Sequence, residues 1–358
     1  MEMNWEKLFN QYEKYWHREN EERPLVYMSV PNGKNINSGF FKQHENLRER
    51  WLDTEYRIKQ HRSFMENTDF LAEGYPILCP NLGPDFLGAV CGCDITFGET
   101  TSWAEPVITD YNSFAPIKFD ADNFWWKKIC EITNAALEDA KGDYLVGITD
   151  IHAGADGLVS LRGPQESAFD IYDEPENFKR VVLEIFPVFK EVITKLHNMI
   201  SAKQQASSNW MCVMHPNELW YPTSCDFSCM ISGDNFDEFI MPELTAEIDW
   251  LENSIYHLDG VGALRHLDTL LRIEKLRGIQ WVYGAGQPSA KHWIDVLKKI
   301  QQAGKCIQIS CVCDDLIPLC EELNPEGVHL SCFPPDKDSA EYLLKEMERI
   351  CKQKRAQF

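Results

Sequence analysis

No apolar run in this chain approaches the roughly 20 residues that a membrane helix needs, so no transmembrane span is expected. The N-terminus, Met1-Glu2-Met3-Asn4-Trp5-Glu6-Lys7, is charged and lacks the apolar segment of a secretory signal. Positive charge is scarce. Lys and Arg number 35 against 56 Asp and Glu, for a net charge of −21. A surface of that sign repels nucleic acid and anionic membranes, so neither is an expected partner. There is no Gly-x-Ser-x-Gly elbow and no Walker loop, which removes two common catalytic signatures. No Gly-x-Gly-x-x-Gly follows the first expected strand, which counts against an open dinucleotide-binding sheet. Short repeats and low-complexity segments are absent as well.

Cysteine is plentiful at 13, an odd number scattered through apolar segments. That pattern fits reduced thiols in a cytoplasmic protein better than a disulfide framework. Most are expected to fill the core as small hydrophobes. Cys91-Gly92-Cys93 and Cys311-Val312-Cys313 lack the matching second pair of a zinc ribbon.

The 358 residues, 44% hydrophobic and 12% aromatic, suffice for one large domain spanning 1–358. A helix is expected over 4–20, ended by Arg23-Pro24. A strand follows from Pro24 to Val30, and a loop from Pro31 to Asn35. Residues 45–66 carry a helical pattern, and Phe70 to Leu78 is strand-like. Residues 92–118 read as a β-rich insertion. Helices are expected from Trp125 to Ala140 and from about 175 to 203. Strand starts at Tyr144, Trp210, Ser254, Ile279, Cys306 and Gly327 then alternate with helices to the C-terminus. With Pro24 and Phe70 they make eight. Such alternation implies parallel strands with right-handed crossovers. The expected fold is α/β, a single (β/α)8 barrel with an N-terminal helical extension. An open doubly wound sheet is the alternative.

Parallel α/β folds place their chemistry at the C-terminal ends of the strands. The clearest such end is Tyr256-His257-Leu258-Asp259-Gly260. Side chains at i and i+2 of a strand share a face, so His257 and Asp259 project together. Zn²⁺ takes nitrogen, carboxylate and sulfur ligands, and His257, Asp259 and Cys332 form a candidate set. The competing reading is a histidine that hydrogen-bonds Asp259 or a backbone carbonyl. Asp150 and His152 form a second pair, suited to acid–base work because imidazole titrates near neutrality. Equally, Asp150 caps a turn. His215 and Asp226 complete the catalytic candidates. Tyr75, Trp220, Cys229, Gln280, Trp281 and Gln287 are the candidate substrate contacts. Trp220, Tyr221 and Trp281 would make an aromatic wall for an apolar or cationic ligand, or else pack in the core. The residues expected after the strands include no Lys or Arg.

Several stretches resemble the uroporphyrinogen decarboxylase-like superfamily. They are Leu161-Arg162-Gly163-Pro164-Gln165, Phe227-Ser228-Cys229-Met230-Ile231-Ser232, Tyr256-His257-Leu258-Asp259-Gly260 and Gln280-Trp281-Val282-Tyr283-Gly284-Ala285-Gly286. Arg23-Pro24-Leu25-Val26-Tyr27-Met28 resembles its first strand. The resemblance runs from Arg23 to the last helix and implies a (β/α)8 barrel. One branch decarboxylates uroporphyrinogen without a cofactor. The other moves methyl groups to or from a corrinoid carried by a protein, using zinc.

The chain departs from the first branch because Ser29-Val30-Pro31-Asn32-Gly33-Lys34 lacks the arginines that would hold a polycarboxylate. It departs from the second at Asp259, where thiol methyltransferases carry Cys. The resemblance therefore implies a methyltransferase moving a methyl group between a small molecule and a methyl-corrinoid protein, with zinc at His257, Asp259 and Cys332. A cofactor-free decarboxylase using Asp150, Asp85 or Asp226 is the rival, and a non-catalytic ligand-binding barrel the third reading. Related barrels often dimerise, so a homodimer is compatible.

Overall fold

The computed structural model describes residues 3–34 and 42–356. Asn35, at the end of the expected first loop, lies outside them. The described residues form strands β1 Leu25–Pro31, β2 Thr68–Ala72, β3 Ile77–Leu78, β4 Asp94–Phe97, β5 Ser102–Glu105, β6 Leu145–Val146 and β7 Ser207–Ser208. After these come β8 Met214–His215, β9 Trp220–Ser224, β10 Asn253–Asp259, β11 Gly278–Val282, β12 Cys306–Ser310 and β13 Val328–Cys332.

A seven-stranded sheet in the order β2-β1-β13-β12-β11-β10-β9 carries the second half of the chain. All its pairs are parallel except β1 with β2, which is antiparallel. Strands β3 and β6 pair parallel in a separate two-stranded piece, and Ile148 bridges to Asn209 beyond it. The result is a mixed α/β fold built on a parallel sheet. Among the described residues its hydrogen bonding does not close into the expected ring of eight.

Two differences explain this. The expected Phe70 strand divides: β2 turns back along β1, and only Ile77–Leu78 runs parallel to its neighbour. Gly74 sits between them because any Cβ there would strike the Met28 carbonyl. Likewise Trp210 to Met214 is not a strand. Residues 207–215 form a short antiparallel hairpin, and the parallel strand is Trp220–Ser224. Pro222 in its middle conceals it in the sequence, since proline reads against a central strand. The 92–118 insertion holds one hairpin, β4 with β5.

Helices cover the sheet. The longest, Pro175–Ser201, packs ten buried apolar side chains, Phe178 through Ile200, against the core. Its apolar positions recur at three- and four-residue spacing, which makes one face of a helix. The first helix, Trp5–His17, is capped by the Asn4 side chain on the Lys7 amide. It lies across the N-terminal strand ends and buries Leu8, Tyr12, Tyr15 and Trp16 with Leu25, Trp220 and Cys306.

Register decides which side chains face inward. His257 pairs with Gln280, Gln280 with Gln308, and Gln308 with His329. These polar residues therefore share one face of the sheet. Leu258, Trp281, Ile309 and Leu330 occupy the opposite face, toward the helices. Cys332 lies two residues beyond Leu330 on β13, and so faces the helices too.

Candidate functional site

Four chain segments meet at the C-terminal ends of the parallel strands. The segment after β6 supplies Asp150 and His152. The helix Gly154–Arg162 supplies Asp156 in its first turn. A 3₁₀ turn after β9, Asp226–Met230, supplies Asp226, and β10 supplies His257 and Asp259. Gly154 begins its helix at φ +56, where a Cβ would run into the Glu243 carboxylate, so glycine alone fits. Gly260, at φ +79, turns the chain away after Asp259.

Ligand atoms of Asp226, His257 and Asp259 all lie within 4.8 Å of one another. So do those of His152, Asp156 and Asp226. Asp226 belongs to both groups. The His257 Nε2 atom stands 3.9 Å from Asp226 Oδ1. On the other side of the ring, Nδ1 donates to Gln280 Oε1. That bond leaves the Nε2 lone pair facing the carboxylates. Trp210 packs its ring edge-on against His257 at 5.1 Å.

His152 is held from both sides. Its Nε2 lies 3.2 Å from Asp150 Oδ1, and its Nδ1 lies 3.0 Å from Ser224 Oγ and 3.5 Å from Asp156 Oδ2. Burial lowers its basicity, but Asp150 and Asp156 outweigh that and hold it well above the usual histidine range. Asp156 accepts the backbone N–H groups of Asp226 and Phe227 at 2.8 and 2.9 Å. These bonds fix the turn that aims Asp226. Partial burial, then the Asp156 charge, push the Asp226 carboxyl up to about 6, while His152 and His257 pull the other way. Beside the cluster is a cavity of about 260 Å³ lined by Pro84, Asp85, Val159, Pro164, Phe227 and Met230 together with His152, Asp156 and Asp226.

Asp150, His152, Asp226, His257, Asp259 and Gln280 thus come together. Cys229 stands at the rim, exposed. Burial of its sulfur, then Asp226, Asp156 and Asp259, raise its thiol above the usual range. Gln287 is exposed on the loop after β11, where its amide N–H bonds Gly284.

The remaining candidates lie elsewhere. Trp281 is buried and meets Trp293 edge-on at 5.2 Å. Trp220 begins rather than ends its strand and packs against Trp16 at 5.2 Å, at the N-terminal end. His215 is there too, against Trp16 at 5.3 Å, its Nδ1 accepting the Asn217 and Glu218 amides. Tyr75 is buried among Tyr12 and Tyr27, bonded to Ser208 Oγ at 2.8 Å. Among the described residues, Cys332 forms no group within 4.8 Å with His257 and Asp259. Its sulfur instead lies 4.0 Å from that of Cys313.

Asp156 and Ser224 are contributors that sequence reasoning did not place among the acting residues. Asp156 follows a strand end and carried a signal. Ser224 was hidden because Pro222 masked its strand.

No family model matches the chain, and no curated protein matches it. Among solved structures, the fold is similar to that of a methyltransferase from Methanosarcina mazei. The TM-score is 0.56 and the identity 13%, over 83% of this chain and 86% of that one. At such identity the likeness establishes a shared fold.

Proposed function

We propose that the protein is a metal-dependent methyltransferase that moves a methyl group between a small molecule and a corrinoid held by a partner protein. We read the arc of parallel strands, with β3 and β6, as a (β/α)8-type barrel whose C-terminal mouth is the site. The observation that carries this reading is Asp226, shared between His257–Asp259 on one side and His152–Asp156 on the other. The shared fold with a named methyltransferase supports it.

The donor set fits a zinc ion. One imidazole nitrogen and two carboxylates from Asp226, His257 and Asp259 are a ligand type found in catalytic zinc sites, which leave a position open. Gln280 fixes the His257 tautomer that ligation requires. A bound zinc ion would supply Lewis acidity. His152, kept protonated by Asp150 and Asp156, is placed to give a proton to the group that the methyl leaves. Asp156 holds the Asp226 turn in place. Pro84, Val159, Phe227 and Met230 form an apolar wall suited to a small methylated compound. Partner docking over the same face is supported by Met230, Val261, Val312 and Phe333. Each is exposed and apolar; Val261, Val312 and Phe333 follow strand ends, and Met230 closes the turn after β9.

The test combines metal content with methyl transfer to free cob(I)alamin as a stand-in for the bound corrinoid. Protein purified without chelator is expected to carry about one equivalent of zinc. Methylcobalamin should form from some member of a panel of methylated alcohols, amines and aryl ethers. Asp226→Asn and His257→Ala should lose both properties. Decarboxylation of uroporphyrinogen by metal-free protein would replace this reading with the rival one.

A further inference from the structure

We propose that Cys313 and Cys332 form an oxidisable dithiol, a modification site that ties two rim loops together. Cys332 ends β13, and Cys313 opens the helix Cys313–Glu322 that follows β12. Their sulfurs are 4.0 Å apart. Cys332 is fully buried, whereas Cys313 is partly exposed. The loops they join carry Val312 and Phe333, both exposed at the mouth.

A metal ion is the other use for converging thiols, and the geometry disfavours it. Among the described residues, no third His, Cys, Asp or Glu ligand atom lies within 4.8 Å of both sulfurs. Zinc sites take three or four protein ligands. A disulfide needs only the pair, brought to about 2.05 Å.

The chemistry is ordered by the two environments. The neighbouring Cys311 sulfur, and with it Cys313, hold the Cys332 thiol below the usual range against the effect of burial. Burial, then Cys332, push the Cys313 thiol up to about 11. Cys313 is the sulfur that solvent reaches, and its oxidation is slow because little of it is thiolate.

A hydroperoxide transfers one oxygen to the Cys313 sulfur, giving a sulfenic acid and the corresponding alcohol, or water from hydrogen peroxide. The Cys332 thiolate then attacks that sulfur. The S–S bond forms, the S–O bond breaks, and hydroxide leaves to take up the proton that Cys332 released. In sum, two thiols and hydrogen peroxide give one disulfide and two waters.

The experiment exposes the full chain to hydrogen peroxide for minutes to hours, alkylates it under denaturing conditions and maps the peptides. Two of the 13 thiols are expected to resist alkylation, with a Cys313–Cys332 cross-linked peptide that dithiothreitol removes. Cys313→Ser should abolish that peptide, and Cys311→Ser should retain it. Three results overturn the proposal: Cys313 oxidised to sulfinic acid with Cys332 still alkylated, a cross-link between Cys311 and Cys332 instead, or no oxidation of either residue over hours.

Discussion

The two ends of the parallel sheet hold the same residue type in opposite states. At the N-terminal end His329 is buried against Tyr12 and Tyr15, and burial drives it down to about 3. His215 beside Trp16 is lowered by burial as well. At the C-terminal end Asp150 and Asp156 overcome the burial of His152 and keep it charged. Neutral imidazoles among aromatic rings fit packing; a charged one among carboxylates is the kind of group that functional sites collect. Position along a strand therefore matters more than residue type.

The largest expected effect lies at the packed end. Trp220→Ala removes a fully buried ring and the edge contact to Trp16. It should cost about 3–5 kcal/mol by chemical denaturation, while zinc content of the folded fraction stays unchanged. Loss of zinc in that variant would mean that the two ends are not separate.

Gln280→Leu should act on the other end alone. It removes the acceptor for His257 Nδ1, and metal affinity measured by competition with a chelator should fall roughly 10–100-fold. An unchanged affinity would remove Gln280 from the site.

A third variant probes what lies beneath the site. Burial, then Asp156, push the Glu243 carboxyl up to about 8, against an ordinary value of 4.5. Between those values the native state binds a proton that the unfolded chain has lost. Stability is then highest below the lower value and falls as pH rises toward the upper one. Glu243→Gln should flatten this slope and add roughly 1–2 kcal/mol at alkaline pH. A variant that keeps the slope would show that another group sets it.

The smallest effect is expected for Cys229→Ser. It is exposed at the rim, so stability should change by less than about 0.5 kcal/mol. Metal content should not change. A large loss of metal would place this sulfur among the ligands.

Much of this contrast was legible in the sequence. Strand alternation places His257 and Asp259 side by side, and the β/α alternation of the second half reads off the apolar runs. What sequence could not supply was register. Cys332 and Trp281 follow or end strands as His257 does, but their parity turns them toward the helices. The strand expected near 210–214 puts Trp220 and His215 at the mouth, and the undivided strand expected over 70–78 puts Tyr75 there. In fact β9 begins at Trp220, and Pro222 conceals it. The closed ring failed for a related reason: β2 folds back antiparallel along β1, a pairing that an apolar run does not reveal.

The most direct measurement is an anomalous-difference map at the zinc edge from crystals grown with zinc. A single peak within bonding distance of His257 Nε2 and of Asp226 and Asp259 carboxylate oxygens is the expected result. A peak at the Cys332 sulfur, or none near His257 with zinc in excess, would contradict the assignment of this end as a metal-dependent methyl-transfer site.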